Sequence, residues 1–190
     1  MPPEAALGRA GQHASVVEIP VVILIERRPT DLLSGIPDPA GWSDALTSLE
    51  GPEFWHRMVI AELSRSARYG RPLTLVLLDV DGMTDILRVW GAEVARHTLR
   101  ETAQCLRRMA RTSDLLMRIG PTRFGILLTE TDEIAAINFV DRVRDAGPRS
   151  VPRTADLVRF TFGWASPRKG DTPDAVVRRA ERLMDLDRAV

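Results

Sequence analysis

Two carboxylates, Asp79 and Asp81, close the run Leu73-Thr-Leu-Val-Leu-Leu-Asp-Val-Asp81. Hard divalent cations take oxygen ligands, and a carboxylate pair at the end of a buried strand is one way to hold Mg²⁺ for phosphoryl or nucleotidyl transfer. The same spacing also serves as a helix cap or turn former, so the pair gains meaning only from what stands beside it. The neighbour that matters is Gly120-Pro121-Thr122-Arg123, a turn between two short apolar runs, Leu115 to Ile119 and Phe124 to Leu128. Gly and Pro give it turn chemistry, and the flanks favour strands, so the stretch reads as a β-hairpin. Its tip is expected to present backbone and four side chains to whatever sits above it. Just upstream, Arg111-Thr-Ser-Asp114 sets a guanidinium and a carboxylate three residues apart.

Several function classes are disfavoured by composition. Hydrophobic residues make up 44% and charged residues 27% of 190, which describes one ordinary globular domain with an extension. Lys plus Arg and Asp plus Glu are both 26, so no charge excess argues for nucleic acid or an anionic membrane. One cysteine, Cys105, and three scattered histidines exclude an internal disulfide framework and argue against zinc. No metal centre and no cofactor are expected. The longest apolar run, Val16 to Ile25, is broken by Glu18 and Pro20 and is too short to span a bilayer. The expected setting is cytoplasmic.

The elements that must position these groups follow in chain order. Residues 1 to about 15 are small and polar and are expected to be disordered. Val16 to Ile25 has strand composition; it is either an extra strand packed on the domain or a segment that pairs with a second protomer. Pro29 to Trp42, with three prolines and two glycines, has linker composition. Phe54, Trp55, Met58, Val59 and Leu63 recur at helical spacing. Leu73 to Asp81 is nearly continuously apolar, as a central strand with both faces covered must be. Ala95, Leu99, Thr102, Leu106 and Met109 stripe a second helix, with Cys105 as an inert neighbour. Ala136, Phe139, Val140 and Val143 mark a third, expected to end before Gly147-Pro148. A strand over Leu157 to Ala165 and a last helix with Val176, Val177, Ala180, Leu183 and Met184 inward complete the chain.

Taken together, a strand, a Gly-x-x-x-Phe turn and a strand, with Arg-x-x-Asp just upstream, resemble the GGDEF domain of diguanylate cyclases, which condense two GTP into cyclic di-GMP. The five-residue motif here is Gly120-Pro121-Thr122-Arg123-Phe124. Asp44-Ala-Leu-Thr-Ser-Leu49 resembles the family's Asp-x-Leu-Thr-Gly-Leu opening, with Ser48 in the glycine's place; Asp31-Leu-Leu-Ser-Gly35 is a rival for that role, but from Asp44 the count to the first strand needs no long insertion. Asp79 matches the family's metal-binding Asp, and Arg188 falls where a late lysine is usual. The resemblance covers about Asp44 to Arg188, roughly three quarters of the chain. It implies an α/β, palm-like nucleotide-cyclase fold with a central, mostly antiparallel sheet flanked by helices. The implied organisation is an N-terminal arm and linker over 1–43 and the domain over 44–190.

The departures from the family pattern imply a degenerate member. Leu87 stands where an Asn, and Arg96 where an Asp, would read the guanine base; Leu87 offers no hydrogen bond and Arg96 offers donors alone. Leaving two buried donors of the base unpaired costs roughly 1–3 kcal/mol each. Thr122 replaces a metal-binding carboxylate, Pro121 replaces a glycine, and Arg123 adds a cation beside them, so turnover is expected to be negligible. Arg123 holding a phosphate without turnover is an alternative. Arg111, Asp114 and Arg142 match the family's product-inhibition site; guanidinium clamps guanine or phosphate, and carboxylate accepts from N1–H and N2–H₂. The expected function is therefore a non-catalytic signalling regulator that binds cyclic di-GMP. The alternative is a protein-interaction or dimerisation module with no nucleotide ligand. A protein partner or homodimer is expected, with no nucleic acid and no membrane.

Overall fold

The structure is a computed structural model that describes residues 30–189. The expected disorder of residues 1–15 and the Val16 to Ile25 strand lie outside the described residues. After a 3₁₀ turn at Thr30–Leu33, the chain forms α1 (Pro52–Tyr69), β1 (Leu73–Asp81), α2 (Met83–Met109), β2 (Leu115–Arg118), β3 (Arg123–Thr129), α3 (Glu133–Ser150), β4 (Arg159–Ala165) and α4 (Pro173–Ala189). The four strands form one sheet in the order β2-β3-β1-β4, and every neighbouring pair is antiparallel.

β1 lies inside the sheet, and its side chains alternate between two cores. Val76, Leu78 and Val80 face α2 and α3, joined there by Leu99, Leu106, Phe124, Phe139 and Val143. Leu73, Leu75 and Leu77 face the other way, toward Trp55 and Val59 of α1 and Val177 and Met184 of α4. The continuous apolar run thus follows from a strand covered on both sides. Each such side chain taken fully from water contributes about 1.5–3 kcal/mol. In α4, Leu183 is half-buried rather than part of the core stripe.

Two helix boundaries differ from the sequence reading, and β4 begins at Arg159 rather than Leu157. α2 begins at Met83, well before Ala95, because Gly91 adopts φ 78° and lets two helical segments join across a kink. Only glycine takes such an angle without steric cost. α3 runs past Gly147-Pro148 to Ser150. Gly147 is held in place by packing: a side-chain carbon there would sit 2.5 Å from the Phe160 ring.

The stretch with linker composition is fitted to the domain. Ile36 is buried in the α2–α3 core, and Gly51 and Glu53 donate their backbone N–H to the carbonyls of Trp42 and Gly41.

Candidate functional site

Antiparallel register brings the hairpin tip over the end of β1. Asp79 pairs across the sheet with Arg123, and Val80 N–H donates to Thr122 O over 3.0 Å. Ile119 and Gly120 N–H both donate to Arg123 O, which tightens the turn. Phe124 roots it, fully buried opposite Leu78.

The tip does not present its side chains outward as expected. Thr122 and Arg123 are 6% and 8% exposed, because the buried Asp79 carboxylate beneath them accepts hydrogen bonds from both side chains. Thr122 Oγ1 donates to Asp79 Oδ1 over 2.6 Å, and Arg123 Nη2 lies 3.3 Å from Asp79 Oδ2. A second guanidinium arrives from the end of α4, where Arg188 Nη2 donates to Asp79 Oδ2 over 3.1 Å and Nε lies 3.4 Å from Asp81 Oδ2. Thr161 Oγ1 of β4 donates to Asp81 as well. Arg123 also lies 3.8 Å from Glu181. The arrangement is a nearly closed ion cluster of two aspartates, two arginines and two hydroxyls. Among the described residues, no three His, Cys, Asp or Glu side chains converge as a metal-holding group.

Beneath the tip lies a residue that the sequence reading missed. Arg118 is fully buried, donates to Asp44 Oδ1 over 2.9 Å, and bonds the carbonyls of Pro37 and Pro121 over 2.7 and 2.8 Å. Burial pushes its guanidinium below the ordinary arginine range, while Asp44 acts in the opposite direction. The other oxygen of Asp44 accepts from Thr47 N–H and Oγ1. Ser48 then takes φ 57°, the left-handed conformation for which glycine is the usual choice. A lone arginine within Leu115-Leu-Met-Arg-Ile119 was the available signal, since an apolar strand tolerates a charge only when it is paired.

Arg111 and Asp114 lie before β2, whose start pairs with Leu127, so they stand at the end of the sheet away from the tip. Asp114 Oδ2 accepts from Arg111 N–H over 2.8 Å, while its Oδ1 is buried with no hydrogen-bond partner among the described residues. Arg142 is exposed on α3, donates to Asn138 O of its own helix and stacks 5.7 Å over the Phe139 ring. Among the described residues, no hydrogen bond or ion pair links Arg142 to Arg111 or Asp114. Leu87 and Arg96 lie on either side of the Gly91 kink. Leu87 is half-buried against the core, and Arg96 donates to Gly35 O over 2.8 Å while pairing with Glu93.

A family model described as diguanylate cyclase, GGDEF domain, matches residues 42–188. Among curated proteins, the diguanylate cyclase DosC of Escherichia coli K12 is 32% identical over 101 residues, 53% of this chain and 22% of DosC. The response regulator PleD of Caulobacter vibrioides is 26% identical over 145 residues, 73% of this chain and 32% of PleD. The chain therefore spans a third or less of either relative's length. Among solved structures, the diguanylate cyclase SiaD of Pseudomonas aeruginosa, in complex with its activator SiaC, gives a TM-score of 0.70 at 28% identity, covering 80% of this chain and 59% of SiaD. The GGDEF domain of DgcB from Caulobacter crescentus, in complex with c-di-GMP, gives 0.72 at 17% identity over 79% of this chain and 91% of its own, a likeness of fold.

Proposed function

Because this chain belongs to the diguanylate cyclase GGDEF domain family, we propose that it is a member that recognises cyclic di-GMP without making it. The observation that carries the reading is the saturation of Asp79 by Thr122, Arg123 and Arg188. Synthesis from GTP by this family's chemistry uses divalent metal held by carboxylates, which activates the attacking hydroxyl and offsets charge on the leaving pyrophosphate. The side chains at this tip do not fit that role. Thr122 supplies no charge, and both aspartates are already neutralised by guanidinium. Two like unit charges about 4 Å apart repel by about 4 kcal/mol at an effective dielectric near 20. A divalent ion entering beside Asp79 would meet that repulsion from Arg123 and from Arg188.

Ligand recognition is assigned to Arg111, Asp114 and Arg142. In support, Asp114 Oδ1 is an acceptor without a partner among the described residues, and among those residues neither Arg111 nor Arg142 enters an ion pair. Two guanidinium groups and a carboxylate suit guanine edges and phosphates. The DgcB structure, solved with c-di-GMP, supports that ligand class. In this reading 44–190 is the recognising domain, 1–43 is an arm whose described end packs on that domain through Ile36, and the protein works in the cytoplasm. Among the described residues no helix is long and apolar enough to cross a membrane.

Calorimetric titration with cyclic di-GMP should give heat that Arg111→Ala abolishes, and incubation with GTP and Mg²⁺ or Mn²⁺ should give no dinucleotide. Appreciable product would overturn the non-catalytic reading. Absence of heat would leave the second reading, a protein-docking module. That one is favoured by Val89 and Trp90, which are 55% and 45% exposed on adjacent positions of α2, and by SiaD having been solved with a protein activator.

A further inference from the structure

Leu33, Gly35 and Ile36 lie against the kinked first half of α2. Ile36 is buried and Leu33 half-buried in the same core as Leu87, Ile86 and Val94. Gly35 is so close to α2 that a side-chain carbon there would stand 2.9 Å from Ala92 Cβ and 3.7 Å from Leu87 Cδ2. The backbone is held as well. Arg96 Nη1 donates to Gly35 O, Ile36 N–H donates to Leu33 O over 3.0 Å, and buried Arg118 donates to Pro37 O. Apart from the Ile36–Leu33 bond, which is internal to the segment, these are contacts that a short peptide would make with a receptor: an apolar residue in a pocket, a glycine where the backbone approaches most closely, and charged donors on the alternate carbonyls of Gly35 and Pro37.

From these contacts the geometry points to a peptide-binding cleft on α2, filled in cis by the chain's own Leu33-Ser-Gly-Ile36 segment. Leu87 and Arg96 are its walls. Leucine offers the apolar contact that Leu33 and Ile36 need, and arginine offers the donor that a peptide carbonyl needs and a purine N–H does not. The space left between the segment and the end of β1 supports this assignment. A cavity of about 150 Å³ remains, lined by Leu32, Leu33, Asp81, Gly82, Thr84 and Thr122. Ligand pockets for drug-sized molecules run from about 300 Å³ upward, so the space beside the seated segment is smaller than such a pocket. The inference stands on these contacts and is independent of whether cyclic di-GMP binds at Arg111.

Gly35→Val tests it in the full chain, because Gly35 has φ 106° and Ala92 stands against it. A β-branched residue is strained at that angle and blocked by that neighbour. Hydrogen exchange should show the Ile36 amide protected at least about tenfold over the unstructured rate in the parent protein. In Gly35→Val that protection should be lost, while Val76 and Ile126 of the sheet keep theirs. A synthetic peptide of residues 30–38 should then give calorimetric heat with Gly35→Val and none with the parent. Arg96→Ala should weaken the Ile36 protection without abolishing it, and it serves where Gly35→Val does not fold. An unprotected Ile36 amide in the parent protein would overturn the cis occupancy, as would equal heat with both proteins. Peptide heat with neither would overturn the cleft itself.

Discussion

Arg188, in the last turn of α4, places its Nη2 3.1 Å from Oδ2 of Asp79, 109 residues earlier at the end of the central strand. With Arg123 at 3.3 Å on the same oxygen, this supplies in cis the positive charge that a metal would otherwise bring. Removing both guanidinium groups, as in Arg123→Ala with Arg188→Ala, should therefore tighten Mn²⁺ binding by at least about tenfold per arginine, given repulsions of about 4 kcal/mol per unit charge pair. Electron paramagnetic resonance of free Mn²⁺ would read this. Unchanged free Mn²⁺ would show that the arginines do not set the metal affinity.

Asp44 and Arg118 form the most deeply buried ion pair among the described residues, 4% and 0% exposed at the side chain. Removing one partner leaves an uncompensated buried charge, which typically costs 3–5 kcal/mol. Asp44→Ala should lower unfolding free energy by about that much in a urea titration. Asp44→Leu combined with Arg118→Met should recover most of the loss, since no charge then remains buried. A double variant as unstable as the single one would place the cost in the lost hydrogen bonds to Pro37 and Pro121 rather than in the charge.

Asp171 carries a pH dependence of defined sign. Its carboxyl is held below the usual 3.8 by the Arg179 hydrogen bond first, and then by the backbone N–H of Arg168. A depressed folded-state value means that its contribution to stability is fully present above pH 3.8 and fades as pH falls through the lower folded value. The Tm difference between the parent protein and Asp171→Asn should thus be constant from about pH 7 to 5 and shrink below about pH 4. A difference that grows on acidification would contradict the pairing.

Gly163 of β4 meets α4 at backbone distance. A side-chain carbon there would lie 1.9 Å from Ala180 O and 2.7 Å from Met184 Cβ. Gly163→Ala must push α4 off the sheet, and α4 is the element that delivers Arg188. Overpacking of this kind costs about 1–3 kcal/mol. The variant should lower Tm and, by moving Arg188, also raise Mn²⁺ affinity. A lower Tm with unchanged Mn²⁺ affinity would mean that Arg188 reaches Asp79 from a displaced helix.

What could be read directly from the chain were the interactions that repeat at short range. Apolar spacing placed every helix and strand from α1 onward to within a turn, apart from the early start of α2 and the late end of α3. Both exceptions hinge on a glycine whose role depends on distant packing or on an unusual dihedral angle. The turn Gly120-Pro121-Thr122-Arg123-Phe124 also shows by its residue types alone that it carries no carboxylate.

Partner choice was not legible there. Nothing local in Gly120 to Phe124 says that Thr122 and Arg123 fold inward onto Asp79; that depends on the β1–β3 register, which sets Arg123 opposite Asp79. Arg188 could be matched to a family lysine, yet its bond to Asp79 exists because α4 packs on β4 through Gly163. Pro29 to Trp42 has the composition of a free linker, and its described part, from Thr30 on, becomes a strap because Ile36 finds a core and Arg118 and Arg96 find its carbonyls. Periodicity encodes which face of an element is apolar, and the sequence by itself determined that much. Which charge meets which across more than 40 residues is decided by register and docking, and those exist only once the sheet has closed.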